Sequence, residues 1–303
     1  MSHQKRHLLE KVQVQIAAVA ALAVVYFLIA PALSPWESGG ATAFVPMGDY
    51  KGLVIFAVAV WALAAGCAVL TLSARPEGAL LATLVAVAGF SFRSGSARTL
   101  LWRWDGNLPR LFALLSAEVL ILAVVAIGAM VVIAMVRAGM CRLVPKLTRK
   151  YPAPTAKSAG ERTGKTRVMH AAGAVIMELA IAMLLLVITF RSTDRGQVAF
   201  ALAASFFVSA LAAHQIFPIR TVVPLWFGPI LMAVLVFALG WAGSNAGGVG
   251  PAWQSALISA RNLPLRAALP VDWMALGAGG AVAGFWISSR MHENEKEVNN
   301  KKP

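Results

Sequence analysis

The amino-acid sequence predicts an all-α integral membrane protein of about eight transmembrane helices, arranged as two parallel four-helix repeats. Three observations carry this: apolar runs as long as a bilayer is thick, few charges inside them, and basic residues crowded into the tails and one connector. Of 303 residues, 59% are hydrophobic and 13% charged, whereas soluble folds carry about 25% charged residues. The formal net charge of +14 does not point to nucleic acid, because no aromatic-and-basic face accompanies it. It points instead to anionic lipid headgroups beside the connector.

The spans are justified in chain order by the roughly 20 apolar residues needed to cross the hydrocarbon core. They fall near 13–33, 52–73, 79–92, 111–136, 168–190, 197–217, 222–243 and 272–289. The first follows Lys5, Arg6 and Lys11 and reads as a retained signal anchor rather than a cleaved leader. The third is short, bounded by Glu77 and Arg93, and either tilts, re-enters, or starts within the turn at Arg75 and Pro76.

Charge counting favours a full crossing. With eight spans and the N-terminus inside, 18 of the 27 Lys and Arg residues face the cytoplasm, as the positive-inside bias requires. If the third segment failed to cross, Arg137, Arg142, Lys146, Arg149, Lys150, Lys157, Arg162, Lys165 and Arg167 would all face outward. The expected division is therefore a cytoplasmic tail 1–12, a membrane unit 13–136, a basic connector 137–167, a second membrane unit 168–289 and a polar cytoplasmic tail 290–303. Such a protein belongs in a bacterial cytoplasmic (inner) membrane.

The two units carry related features. Asn107-Leu108-Pro109-Arg110 enters the fourth span and Asn262-Leu263-Pro264-Leu265-Arg266 precedes the eighth. Gly52, Val54, Phe56, Ala57 and Ala59 recur in the same spacing as Gly196, Val198, Phe200, Ala201 and Ala203. An even number of spans per unit would make the repeats parallel, related by an axis along the membrane normal.

Tryptophans are expected as interfacial anchors: Trp36, Trp102, Trp104, Trp241 and Trp273 near outer ends, Trp226 and Trp286 near inner ones. Asp105, Asp194 and Asp272 read as solvated residues of the outer boundary, and Arg191, Asp194 and Arg195 as a local ion-pair turn. Arg93 to Pro109 suits an amphipathic segment on the outer surface. Its Arg93, Arg98, Trp102, Arg103 and Trp104 are the candidates for binding an anion or a partner there.

Two acids stand inside apolar runs, Glu118 in the fourth span and Glu178 in the fifth. An ionised carboxylate at mid-membrane costs about 2.5–3.5 kcal/mol on insertion scales, so each should be protonated, paired or turned to a polar cavity. Glu118 lies eight residues past Arg110 and Glu178 eleven past Arg167, roughly 12 and 16 Å from opposite boundaries at 1.5 Å per residue. Those depths are nearly level, and neighbouring spans four and five would let the acids meet. Ala171, Ala174 and Ala182 share the face of Glu178, a small-residue stripe that admits another helix. Leu111, Leu114, Leu122 and Val125 share that of Glu118.

Other chemistry finds little support. Cys67 and Cys141 sit at different depths and predict no disulfide. Met140, Cys141, Met169 and His170 would suit Cu(I) in type, but methionine is ordinary filler in apolar helices, so neither a metal nor another cofactor is assigned. Ala159-Gly160-Glu161-Arg162-Thr163-Gly164-Lys165-Thr166 resembles a phosphate loop, without the strand such a loop requires. GxSxG and HExxH are absent. No catalytic residue is assigned and the reading leans away from an enzyme.

The sequence thus points to a small permease or ion-coupled transporter with Glu118 and Glu178 handling protons or cations. The alternative is a non-catalytic subunit or assembly factor that docks membrane-protein partners through its outer loops and connector, whereas a homo-oligomer would accord with the transporter. A lipid-linked-substrate enzyme with Arg93, Arg98 and Arg103 on a phosphate is the weakest of the three.

Overall fold

The computed structural model describes residues 3–33, 41–95, 97–143, 164–245 and 268–300, with the side chains of 3–8, 98, 164–167, 245 and 293–300 left aside. Among the described residues the chain is all-helical. Six helices of the described residues are long and apolar enough to cross a membrane, covering Leu9–Leu33, Tyr50–Leu70, Asp105–Leu143, Val168–Thr189, Arg195–Ile216 and Val223–Ser244. Trp36, the segment Asn262 to Arg266, residues 144–163 of the connector and most of the phosphate-loop-like run lie outside the described residues.

In chain order, α1 runs His3–Val24 and continues through a π turn, Val25–Ile29, into Ala30–Leu33. The π turn has a local cause. Pro31 lacks an amide hydrogen and its ring crowds the preceding carbonyls, while the Ala30 amide reaches back to the Val25 carbonyl. This register leaves the Tyr26 carbonyl without a helical donor, and Arg93 Nη1 donates to it at 3.3 Å. The Arg93 guanidinium also lies 5.1 Å from the centre of the Tyr26 ring.

A single turn, α2 (Phe44–Met47), precedes α3 (Tyr50–Leu70). Residues Ala41 to Pro46 are buried, so this apolar stretch folds back into the bundle instead of skirting it. Gly48 ends α2 at φ 71, a left-handed conformation that glycine adopts without penalty. Asp49 then caps α3 by accepting from the Gly52 amide at 2.8 Å.

Helix α4 (Pro76–Arg93) starts with proline and Glu77 in its first turn, which suits a helix N-terminus. The short α5 (Ala97–Arg103) and a 3-10 turn lead into α6 (Leu108–Leu143). At 36 residues, α6 is longer than the expected span and takes the first residues of the connector with it. The second half comprises α7 (Gly164–Thr189), α8 (Arg195–Ile216), α9 (Val223–Asn245) and α10. Helix α10 is built from Pro270–Asp272, a π turn Trp273–Gly277 and Ala278–Asn300.

The long helices alternate in direction, and side chains at both ends tie them. At the connector end, Arg290 of α10 pairs with Glu10 of α1 at 2.9 Å, and Glu10 also accepts from the Arg75 amide at 3.2 Å. Arg137 of α6 donates to the carbonyls of Thr71 at 3.0 Å and Ala74 at 2.6 Å, in the turn that follows α3. His214 of α8 meets Ser288 of α10 at 2.7 Å.

Among the described residues, the two less apolar long helices, α4 and α10, are the innermost. Between Glu77 and Ser91 no residue of α4 is exposed, and between Ala268 and Arg290 none of α10 is. The others turn apolar residues outward, such as Val54, Ile55 and Val58 of α3, Val124 and Val131 of α6, and Ile176 and Leu184 of α7. A helix wrapped by protein need not be lipid-compatible, so α4 and α10 can carry Thr83, Ser91, Asp272 and Ser288 in buried positions.

Helix α10 crosses α8 with backbones in contact. A Cβ added at Gly280 would overlap the Ala203 carbonyl, and one at Gly284 the Phe207 carbonyl. This Gly280-x3-Gly284 spacing is a small-residue packing motif.

The structure corrects several sequence expectations. Trp226 and Trp273 are fully buried; neither is an interfacial anchor, and Trp273 lies edge-on to Phe206 of α8 at 6.2 Å. Asp272 is also fully buried, with Arg195 on its carboxylate at 2.8 Å. Arg195 therefore belongs to no local turn with Asp194, which accepts from the Ser192 hydroxyl at 2.9 Å. The proposed equivalence of α3 and α8 pairs unlike surroundings: Val54 is exposed where Val198 is buried, and Phe56 is buried where Phe200 is exposed.

Candidate functional site

Glu118 and Glu178 are both fully buried, but they face different partners. Helix α9 packs against both α6 and α7, and each acid has its own surroundings there.

Glu118 serves the re-entrant turn. Its Oε2 accepts from the Val45 amide at 3.0 Å, at the start of α2, where an unpaired backbone donor would otherwise be buried. The Thr42 amide donates to Ser94 Oγ at 2.8 Å, so α4 and α6 together hold residues 41–48. Oε1 of Glu118 has no partner among the described residues.

Glu178 is different in kind. Of the expected small-residue stripe, Ala174 and Ala182 are fully buried and Ala171 is half-buried, and Leu186 continues the packed face of the helix. Through it Glu178 reaches Gly228 of α9, where an added Cβ would overlap its carboxylate. Neither carboxylate oxygen has a hydrogen-bond partner among the described residues. The next residue, Pro229, lies inside α9. It supplies no amide hydrogen, so the Leu225 carbonyl four residues back lacks its helical donor.

A third buried group was missed by sequence reasoning. Arg195 of α8 makes two bonds of 2.8 Å to Asp272 of α10, and its Nη2 also donates to the Ser91 carbonyl of α4. The Leu269 amide donates to Asp272 at 2.7 Å. Every oxygen of Asp272 is thereby engaged, which makes this cluster a structural tie. The sequence held one signal, an aspartate in the first turn of a helix after proline.

The outer-face candidates do not converge on one site. Arg93 turns to Tyr26, and Arg103 lies 3.8 Å from the Met47 sulfur beside α2. Trp104 packs partly against the core, Trp102 is 75% exposed, and the side chain of Arg98 is outside the described residues. At the connector end Cys141 is exposed and His170 stands edge-on to Phe217 at 6.2 Å.

Compared with family models, curated proteins and solved structures, the chain matches none.

Proposed function

We propose that this multi-pass helical membrane protein is a small permease or ion-coupled transporter in which Glu178 handles the ion. One observation carries the reading: a fully buried acid with both oxygens unpartnered among the described residues. Holding such a group in that state is expensive, and intramembrane acids of this kind mark ion pathways. Glu118, which the sequence pairs with it in this role, has the Val45 amide to hold and is assigned to positioning the re-entrant turn.

The same reading takes the protein to a bacterial cytoplasmic membrane with eight crossings and both termini inside, on the charge bias of the sequence. Anionic lipids are its partners at the connector. A duplicated four-helix unit draws partial support from packing: α1 meets α4 as α7 meets α9, and α3 meets α6 as α8 meets α10, whereas the contact of α3 with α4 has no comparable counterpart between α8 and α9.

The test is flux in proteoliposomes of the full chain under an imposed pH or cation gradient, comparing the unaltered protein with Glu178→Gln. The expected result is loss of most of the flux in a variant that remains folded; equal flux removes the role. A docking subunit is the second reading, favoured by the exposure of Trp102. It requires a stoichiometric partner in mild-detergent extracts that is lost with Trp102→Ala.

A further inference from the structure

We infer that the ion at Glu178 is a proton, carried as a neutral carboxyl group whose O–H donates to the Leu225 carbonyl that Pro229 leaves without a helical donor. This rests on the reading of Glu178 as the ion-handling group and names the ion.

The argument starts from a mismatch of hydrogen-bonding types. In an α-helix the carbonyl of one residue points along the axis toward the amide four residues on. The Leu225 carbonyl therefore reaches the level of Gly228 and Pro229, where proline has no hydrogen to offer. Glu178 arrives on this same turn, packed so closely that a side chain at Gly228 would displace its carboxylate. An ionised Glu178 would bring two further acceptors to a place that already lacks a donor. A single proton on the carboxyl group turns one acceptor into a donor and serves the free carbonyl as well.

The geometry around Pro229 is fixed from the other side. A Cβ at Gly277, in the π turn of α10, would stand 2.9 Å from Pro229 Cβ and 3.4 Å from the Phe206 ring. The proline thus packs on the π turn of α10, while its neighbour Gly228 faces Glu178 of α7. A hard metal cation takes about six or more oxygen ligands, and among the described residues no group of three or more His, Cys, Asp or Glu side chains could hold one. A proton needs only the carboxyl oxygen and one acceptor.

Infrared spectroscopy of the full chain in lipid bilayers at neutral pH reads the neutral carboxyl group directly, through a C=O stretch separate from the amide bands. The expected result is a carboxylic band that disappears in Glu178→Gln and survives in Glu118→Gln. In Pro229→Ala the new amide occupies the Leu225 carbonyl, and the band should move to higher frequency as the acid loses its acceptor. Pro229→Gly restores the same amide and gives the same shift if the alanine variant folds poorly.

A spectrum in which Glu178→Gln removes no band would mean an ionised Glu178 and overturn the inference. Loss of the band on adding sodium or potassium chloride would replace the proton with a metal cation and overturn it too. An unshifted band in both proline variants would remove the pairing with Leu225. None of these outcomes depends on flux, so the inference and the transport reading can fail separately.

Discussion

Arg195 and Asp272, 77 residues apart in the chain, meet as a two-pronged ion pair with both bonds at 2.8 Å. The pair ties the start of α8 to the start of α10, and Ser91 Oγ, donating to Asp272 at 2.5 Å, brings in α4. Removing one partner of a buried pair strands the other charge, at a cost of about 3–5 kcal/mol. Asp272→Ala and Arg195→Ala should each lower the midpoint of unfolding in detergent strongly, and the double variant should lose less than the sum of the two. Additive losses would show that the pair does not act as a unit.

Glu118 offers a graded comparison at the re-entrant turn. Glu118→Gln keeps an oxygen for the Val45 amide, whereas Glu118→Ala leaves that buried donor unpaired at about 1–3 kcal/mol. Hydrogen exchange over residues 41–48 should therefore rise sharply in the alanine variant and little in the glutamine one. Equal protection in both would detach Glu118 from the turn.

How much of this was legible in the sequence depends on the range of the interaction. The helices of the lipid-facing ring follow from length and apolarity, and the stripe of Ala174, Glu178 and Ala182 follows from helical spacing, since all of these are local. Asp272, Trp226 and Trp273 were misplaced because distance from the end of an apolar run says nothing about what packs over that end. The partner of Asp272 comes from α8, far away in the chain. The re-entrant turn left only a faint trace, a short apolar run closed by Gly48 and Asp49. The Gly280-x3-Gly284 spacing is readable in the sequence and marks a crossing with backbones in contact.

Orientation can be read from the two native cysteines. Cys141 is exposed at the connector end and Cys67 is buried. With cytoplasmic termini, a membrane-impermeant maleimide should label Cys141 in inverted vesicles and leave intact cells unlabelled. Cys141→Ala should abolish the signal, because Cys67 has no route to the reagent. Labelling of Cys141 from the outside of cells would reverse the assigned topology.

The glycines of the bundle separate packing from helix propensity, because they differ in what surrounds them. At Gly66 of α3 a Cβ would meet nothing within 4 Å, and there alanine should be neutral or stabilising by about 0.4–1 kcal/mol through lower backbone entropy. At Gly284 the same methyl would overlap the Phe207 carbonyl and come within 3.1 Å of the Leu211 amide nitrogen. Those are backbone atoms that cannot rotate aside, so α8 and α10 must separate. Overpacking of this kind costs about 1–3 kcal/mol. Separation would also strain the contact between His214 and Ser288 one turn further along. Thermal unfolding in one detergent should therefore place Gly66→Ala at or above the unaltered chain and Gly284→Ala clearly below it. Equal midpoints for the two would mean that α10 does not approach α8 this closely in the bilayer, and the central position of α10 would have to be redrawn.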